Sequence, residues 1–328
     1  MKILVTGAGG FIAGHLVGDL LKKGHTVIAV DIKKIEDWYQ VFPDAVNFPR
    51  RDMRLKSNCY TLTENVDLVY NLACNMGGMG FIQNNHGLCL ESVLIQTHLV
   101  MACRDNGVKN IMYSSSACIY PLEAQSEIKD SKGQALAEND AYPANPEDGY
   151  GWEKLFSEII TRYFEKDFGL NPRICRYHNV YGPFGTWNGG REKAPAALCR
   201  KIIKAKISGD HKIEVWGDGE QTRSFMYIDD CITGMEKIWD SNYTKPLNLG
   251  SSEMVSINQL IDIISDIAGI TVQREHDLTK PQGVRGRNSD NTLIKEITGW
   301  EPSIPLREGL EKTYSWIWDQ IVCGNKGY

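Results

Sequence analysis

What the 328-residue chain lacks narrows its function first. No apolar run approaches the roughly 18 residues that a membrane span requires. Met1 leads straight into a strand-like stretch whose glycines belong to the fold, so no signal peptide is expected. Positive charge is not in excess: 36 Lys and Arg stand against 41 Asp and Glu, a formal charge of −5. That balance argues against a nucleic-acid or membrane-surface partner, while a small anion needs only a local cluster of Arg and Lys. The nine cysteines (59, 74, 89, 103, 118, 175, 199, 231 and 323) are odd in number and never spaced C-x-x-C. Neither a disulfide framework nor a metal site is expected from them. Most read as small buried apolar residues in a reducing cytoplasm. There is no internal repeat, low-complexity tract or flexible linker.

What is present is the composition of a soluble globular protein, 42% hydrophobic and 23% charged, with length for roughly two domains. Residues 3–5, 27–30, 68–71 and 111–113 are apolar runs of strand length, with helical patterns such as 10–23 and 88–105 between them. Alternation at this spacing predicts an α/β fold with a doubly wound parallel sheet of Rossmann type. Residues 148–168 read as a long amphipathic helix with Tyr150 and Lys154 on one face, because positions i and i+4 are neighbours on a helix. Beyond Arg176 the regularity breaks into loops rich in Gly, Pro and charge (182–193, 216–224 and 279–291), alternating with helices, the last at about 306–320. The expected division is a first domain over 1–178, with 226–250 returning to it. A smaller α/β substrate-binding lobe takes 179–225 and 251–328.

Gly7-x-x-Gly10-x-x-Ala13 lies between a strand and a helix. Gly7 permits the tight turn, Gly10 lets backbone approach a pyrophosphate resting on the helix N-terminus, and Ala13 suits the close-packed position. Asp31 ends the next strand about 20 residues on, where a carboxylate holds the ribose hydroxyls of a dinucleotide and repels a 2′-phosphate. NAD is therefore expected over NADP, with Lys33 and Lys34 weakening the preference. Asp52, after the third strand, stands within reach of the adenine amine. Far downstream come Ser114-Ser115-Ser116 at the end of a strand and the pair Tyr150/Lys154. A phenol of ordinary pKa near 10 is a poor base, but a lysine ammonium one turn away and a positive nicotinamide ring favour its phenolate. Ser116 can bond the substrate oxygen as its proton leaves. This is a relay for hydride transfer.

These motifs, with Asn71-Leu72-Ala73, Arg176-Tyr177-His178-Asn179-Val180-Tyr181-Gly182-Pro183 and Gly217-Asp218-Gly219-Glu220-Gln221-Thr222-Arg223, resemble the extended short-chain dehydrogenase/reductase family over essentially the whole chain. That family binds NAD in the first lobe and a nucleoside-diphosphate sugar in the second. Narrower stretches resemble its GDP-mannose 3,5-epimerases: Asn75-Met76-Gly77-Gly78-Met79-Gly80-Phe81, Ser116-Ala117-Cys118-Ile119-Tyr120-Pro121, Gly189-Gly190-Arg191-Glu192-Lys193-Ala194-Pro195 and Gly283-Val284-Arg285-Gly286-Arg287-Asn288-Ser289. The general family carries neither a Cys at the position of Cys118 nor a Lys at that of Lys193. One departure is Asn75, where an acidic residue is expected in plant relatives.

The resemblance implies NAD contacts from Gly7, Gly10, Phe11, Ile12, Asp31, Asp52, Leu72, Ala73, Tyr150 and Lys154. It implies contacts to GDP-mannose from Gly77, Ser116, Ala117, Cys118, Asn179, Glu192, Lys193, Ala194, Lys201, Gln221, Thr222, Arg223 and Arg287. Removing hydride from C4 of a hexose makes a ketone that acidifies the hydrogens on C3 and C5. Inverting either carbon then needs a base on one face and an acid on the other. Cys118, a thiol of reference pKa about 8.5, and Lys193 are the candidates, with their assignment to each carbon open. Arg supplies a forked, permanent charge for the diphosphate, here from Arg223, Arg287 and, beside them, Arg285. The resemblance further implies a cytoplasmic homodimer joined by a four-helix bundle from 88–105 and 148–168, although those helices could equally be covered within one subunit. The rival readings are a 4-epimerase or 4,6-dehydratase of another nucleotide sugar, and a non-catalytic NAD-binding scaffold.

Overall fold

The computed structural model describes residues 1–126, 135–280 and 283–324. Seven strands form one parallel sheet: β1 (Lys2–Thr6), β2 (Thr26–Val30), β3 (Val46–Phe48), β4 (Leu68–Asn71), β5 (Asn110–Ser116), β6 (Asn171–Tyr177) and β7 (Pro246–Leu249). Their order is β7-β6-β5-β4-β1-β2-β3, with Val5 in register between Ala29 and Tyr70. The central strands β1 and β2 are apolar along most of their length because helices cover both faces. Ile3 and Val5 enter one core, while Leu4 between them enters the other with Ile28 and Val69. The order reverses at β1, so a crevice opens there outside the carboxyl ends of β1 and β4.

Helix α1 (Phe11–Lys22) follows β1, α2 (Val93–Asp105) precedes β5, and α3 (Gly149–Phe168) precedes β6. Asp148 caps α3, its carboxylate accepting from the Gly151 amide at 2.9 Å. The expected single helix over 88–105 is in fact two, His86–Leu90 and α2. The break falls at Glu91 and Ser92, where the Ser92 hydroxyl accepts from the Asn75 amide at 2.9 Å.

Five of the remaining strands build a smaller sheet, and Lys212–Trp216 with Gln273–Asp277 form a separate parallel pair. Thr222–Tyr227 pairs in parallel with Asn179–Tyr181 and with Gly286–Ser289, and antiparallel with Met254–Ser256. Here the structure corrects the sequence reading, since 216–224 and 279–291 were expected as loops yet contain strand residues. Thr-Arg-Ser and Gly-Arg-Asn-Ser lack the apolar alternation that signals a strand. Helix α4 (Ala194–Ser208) and helix α5 (Leu306–Val322) pack together on this side.

Candidate active site at the carboxyl ends of the strands

The turn after β1 is shaped for close backbone approach. Gly7 has φ +72°, and a Cβ there would lie 2.9 Å from the Leu72 carbonyl oxygen. Gly10 donates to the Gly7 carbonyl at 2.9 Å and begins α1 with no side-chain cap. The amides of Phe11 and Ile12 thus face outward without intrahelical acceptors, the arrangement that receives an anion. Asp31, 7% exposed, is fixed beside this turn by the Gly9 amide at 3.0 Å and the Lys33 amide at 2.9 Å. Lys33 reaches the Gly9 carbonyl at 3.1 Å, and burial holds its ammonium below the usual lysine range. Asp52 is gripped by its neighbour: Arg54 donates from Nη2 at 2.8 Å, and that bonding lowers the carboxyl. Leu72 and Ala73 are set by a buried chain that sequence reasoning only half reached. The Ala73 amide donates to Thr6 Oγ1, Thr6 to Asn71 Oδ1, Asn71 to Gln96 and Gln96 to Thr161.

Tyr150 and Lys154 project from α3 toward the end of β5, 5% and 1% exposed. Lys154 Nζ donates to the Ser114 carbonyl at 2.9 Å and lies 5.5 Å from the centre of the Tyr150 ring. Burial opposes its charge, but Cys74 and Glu153 beside it more than offset this, and its pKa is raised. The phenol departs from the sequence expectation. Burial, then Cys74, Cys118 and Glu153, raises Tyr150 well above its ordinary value, against one opposing hydrogen bond with Ser116. Glu153 is itself buried, accepting from Tyr113 at 3.2 Å and Ser157 at 3.1 Å. Neither Cys74 nor Glu153 was singled out in the sequence, although both adjoin residues that were.

After Ser116 the chain turns through Ala117–Ile119, and the Cys118 amide donates to Ser116 Oγ at 3.1 Å. The Cys118 thiol, half-buried, accepts from Arg287 Nη1 at 3.3 Å. Arg287 is 7% exposed and its Nε donates to Gln125 at 2.6 Å. Lys193 stands at the start of α4, just before Ala194. Burial lowers its ammonium pKa, Cys118 pulling the other way and Arg287 adding to the fall. Arg223 is lowered by burial and by Arg287 next to it. Glu147, missed in the sequence, faces this pair: its carboxyl is raised by burial against both arginines, and Oε2 is buried without a hydrogen-bond partner. Gln221 and Thr222, at the start of the adjoining strand, likewise keep a buried unpartnered oxygen.

Other expected contacts have protein partners. Lys201 pairs with Glu214 at 3.2 Å, Arg285 with Asp218 at 2.8 Å, and Glu192 with Arg200 at 2.7 Å. Asn179 Nδ2 donates to the Ser224 carbonyl at 3.2 Å. Gly77 packs on Phe81, where a Cβ would lie 2.8 Å from that side chain. Asn75 donates to the Leu88 carbonyl at 3.2 Å.

The chain matches the family described as NAD dependent epimerase/dehydratase over residues 3–250. GDP-mannose 3,5-epimerase of Arabidopsis thaliana is 49% identical over 323 residues, 98% of this chain and 83% of that protein. UDP-glucose 4-epimerase of Thermotoga maritima, solved with UDP-glucose, shares the fold with a TM-score of 0.85 at 24% identity, covering 98% of this chain and 100% of that one. UDP-glucuronic acid 4-epimerase of Bacillus cereus, solved with UDP-glucuronic acid and NAD, gives 0.81 at 26% identity, over 98% and 100%. The uncapped helix N-terminus, the crowded Gly7 turn and the anchored Asp31 suit the dinucleotide that this match implies. The chain belongs to the NAD dependent epimerase/dehydratase family.

Proposed function

We propose that this chain is an isomerase that inverts GDP-mannose at C3 and C5, yielding GDP-L-galactose and GDP-L-gulose. The observation that carries this reading is the thiol of Cys118, bonded by Arg287 and packed on the cluster that holds Tyr150, with Lys193 close enough to feel it. We read this as a second proton-transfer centre. A 4-epimerase needs one relay, at C4, and Tyr150 with Ser116 and Lys154 suffices for it. Here Cys118 and Lys193 stand close by, the thiol bonded by Arg287 and the ammonium weakened by burial. The half-identical Arabidopsis relative supports the same substrate.

NAD, when bound on the Gly7–Gly10 turn, supplies the oxidation and re-reduction at C4 and a positive ring that favours the phenolate. Tyr150 takes the C4 hydroxyl proton and later returns it, with Ser116 bonding the same oxygen. Once C4 is a ketone, Cys118 and Lys193 act from opposite faces: one removes the proton at C5 or C3, leaving an enolate, and the other delivers a proton to the far side of that carbon. Arg287 donates to the Cys118 sulfur at 3.3 Å, and with Arg223 it would bind the diphosphate. Gln221 and Thr222 offer unpartnered oxygens to the nucleotide. Lys201 and Glu192 would have to exchange their present ion-pair partners to contact substrate.

The same reading divides the chain into an NAD domain (1–178 with 226–250) and a nucleotide-sugar lobe (179–225 with 251–328), supported by β7 joining the large sheet. It also includes a cytoplasmic homodimer, supported by the exposed apolar side chains Leu94, Trp152, Phe156 and Tyr163 on α2 and α3. Among the described residues no helix is long and apolar enough to cross a membrane.

Incubation with GDP-mannose, acid release of the sugar and chromatography test the reading. L-galactose and L-gulose are expected. Talose alone would make the chain a 4-epimerase, and a 4-keto-6-deoxy sugar a dehydratase.

A further inference from the structure

The segment 183–193 joins Asn179–Tyr181 to α4 and ends on Lys193. Its last residues lean on the Gly-rich segment after β4. The Gly78 amide donates to the Arg191 carbonyl at 3.0 Å. A Cβ on Gly78 would lie 2.5 Å from the Glu192 carbonyl oxygen, closer than any side chain can approach. In the other direction, the Arg191 guanidinium lies 3.8 Å from the centre of the Phe81 ring, and its Nη1 donates to the Met76 carbonyl at 3.4 Å. Met76 and Phe81 pack, together with Cys118, on the apolar cluster that holds Tyr150. Beyond Arg191 the ion pair of Glu192 with Arg200, and the Gly190 amide bonded to Glu192 at 2.7 Å, stiffen the turn into α4.

From this geometry we propose that Arg191 is a positioning residue. It latches the end of the segment to Phe81 and Met76 and so sets Lys193 in register with Cys118 across the sugar, a role that rests on the epimerase reading above. Arg191 is itself exposed. Its influence runs through backbone: only Glu192 separates it from Lys193, and the bond to Gly78 ties that backbone to the segment carrying Met76 and Phe81. Oxidation at C4 uses Tyr150, Lys154 and Ser116, whereas Arg191 bonds Met76 and stacks on Phe81 and meets Tyr150 only through their packing. Loss of the latch therefore spares the first step and impairs the inversion.

The test compares wild type with Arg191→Ala and Arg191→Lys, each loaded with NAD. Three readouts are followed: reduction of the bound nicotinamide on mixing with GDP-mannose, solvent deuterium entering C3 and C5, and amide hydrogen exchange over 183–193. Displacing a catalytic group by about 1 Å costs roughly 10²-fold, so Arg191→Ala should lose about that much deuterium incorporation while its nicotinamide reduction stays within about twofold. Amide exchange in 183–193 should accelerate. Arg191→Lys keeps a cation over Phe81 and should recover part of the loss. Equal loss of reduction and incorporation would mean a merely structural role and overturn the proposal, as would wild-type incorporation in Arg191→Ala. Unchanged amide protection would overturn it too, whatever the substrate. If wild type itself neither reduces its cofactor nor exchanges, the epimerase reading fails, and the amide readout still decides the latch.

Discussion

At the scale of single residues the account turns on Cys118. Its thiol accepts from Arg287 at 3.3 Å, while Lys154 donates to the Ser114 carbonyl. Cys118→Ala should leave nicotinamide reduction by GDP-mannose intact. A positioned acid or base contributes about 10²- to 10⁴-fold, and deuterium entry at C3 or C5 should fall by that order. Near wild-type exchange at both carbons would reduce Cys118 to packing. The residues gathered here were legible in sequence as types and motifs, but not as partners. Nothing in the sequence distinguishes the charge of Arg287, buried against Gln125 across 162 residues, from that of Arg285, which pairs with Asp218 nearer the surface. Gln125 and Glu147 belong to no motif, and only the fold brings them to the site.

At the scale of elements, the strand–turn–helix after β1 carries the cofactor. Gly7 combines φ +72° with a Cβ position 2.9 Å from Leu72 O. Gly7→Ala places a side chain in the left-handed region at a cost of about 1–2 kcal/mol, roughly tenfold in NAD affinity if the turn gives way. The contact with Leu72, whose neighbour Ala73 is fixed by Thr6 and Asn71, adds to that loss. Titration of the variant with NAD checks it, and an unchanged dissociation constant would mean that the turn does not bear the pyrophosphate. Strands β1, β2, β4 and β5 of the large sheet could be read ahead because burial on both faces leaves them apolar runs, whereas β6, which carries Arg173 and Arg176, could not. Those of the small sheet could not, since Thr222, Arg223 and Ser224 are polar at successive strand positions and show no apolar alternation. The split of 88–105 was also hidden, because Ser92 breaks it through a tertiary bond to Asn75.

At the scale of the whole molecule, one face of α2 and α3 is left uncovered. Trp152 and Phe156, one helical turn apart, are 45% and 46% exposed, with Leu94 and Tyr163 beside them on the two helices. Tyr150 and Lys154, on the opposite side of the same helix, are buried in the site. Apolar surface gathered in this way marks an interaction face, and a second copy of the chain is its proposed occupant. Light scattering should give the mass of two chains for wild type and of one for Trp152→Glu, because a charge cannot enter a dry interface unpaired. A wild-type mass of one chain would remove the dimer from the account. The central claim remains chemical: a ketone at C4, with proton exchange at the carbons on either side. Running GDP-mannose with the enzyme in deuterated water and locating the label by NMR tests it most directly. Deuterium at C5 and C3 of the recovered GDP-hexoses, with C4 unlabelled, is the predicted result. Turnover with both carbons unlabelled would contradict it.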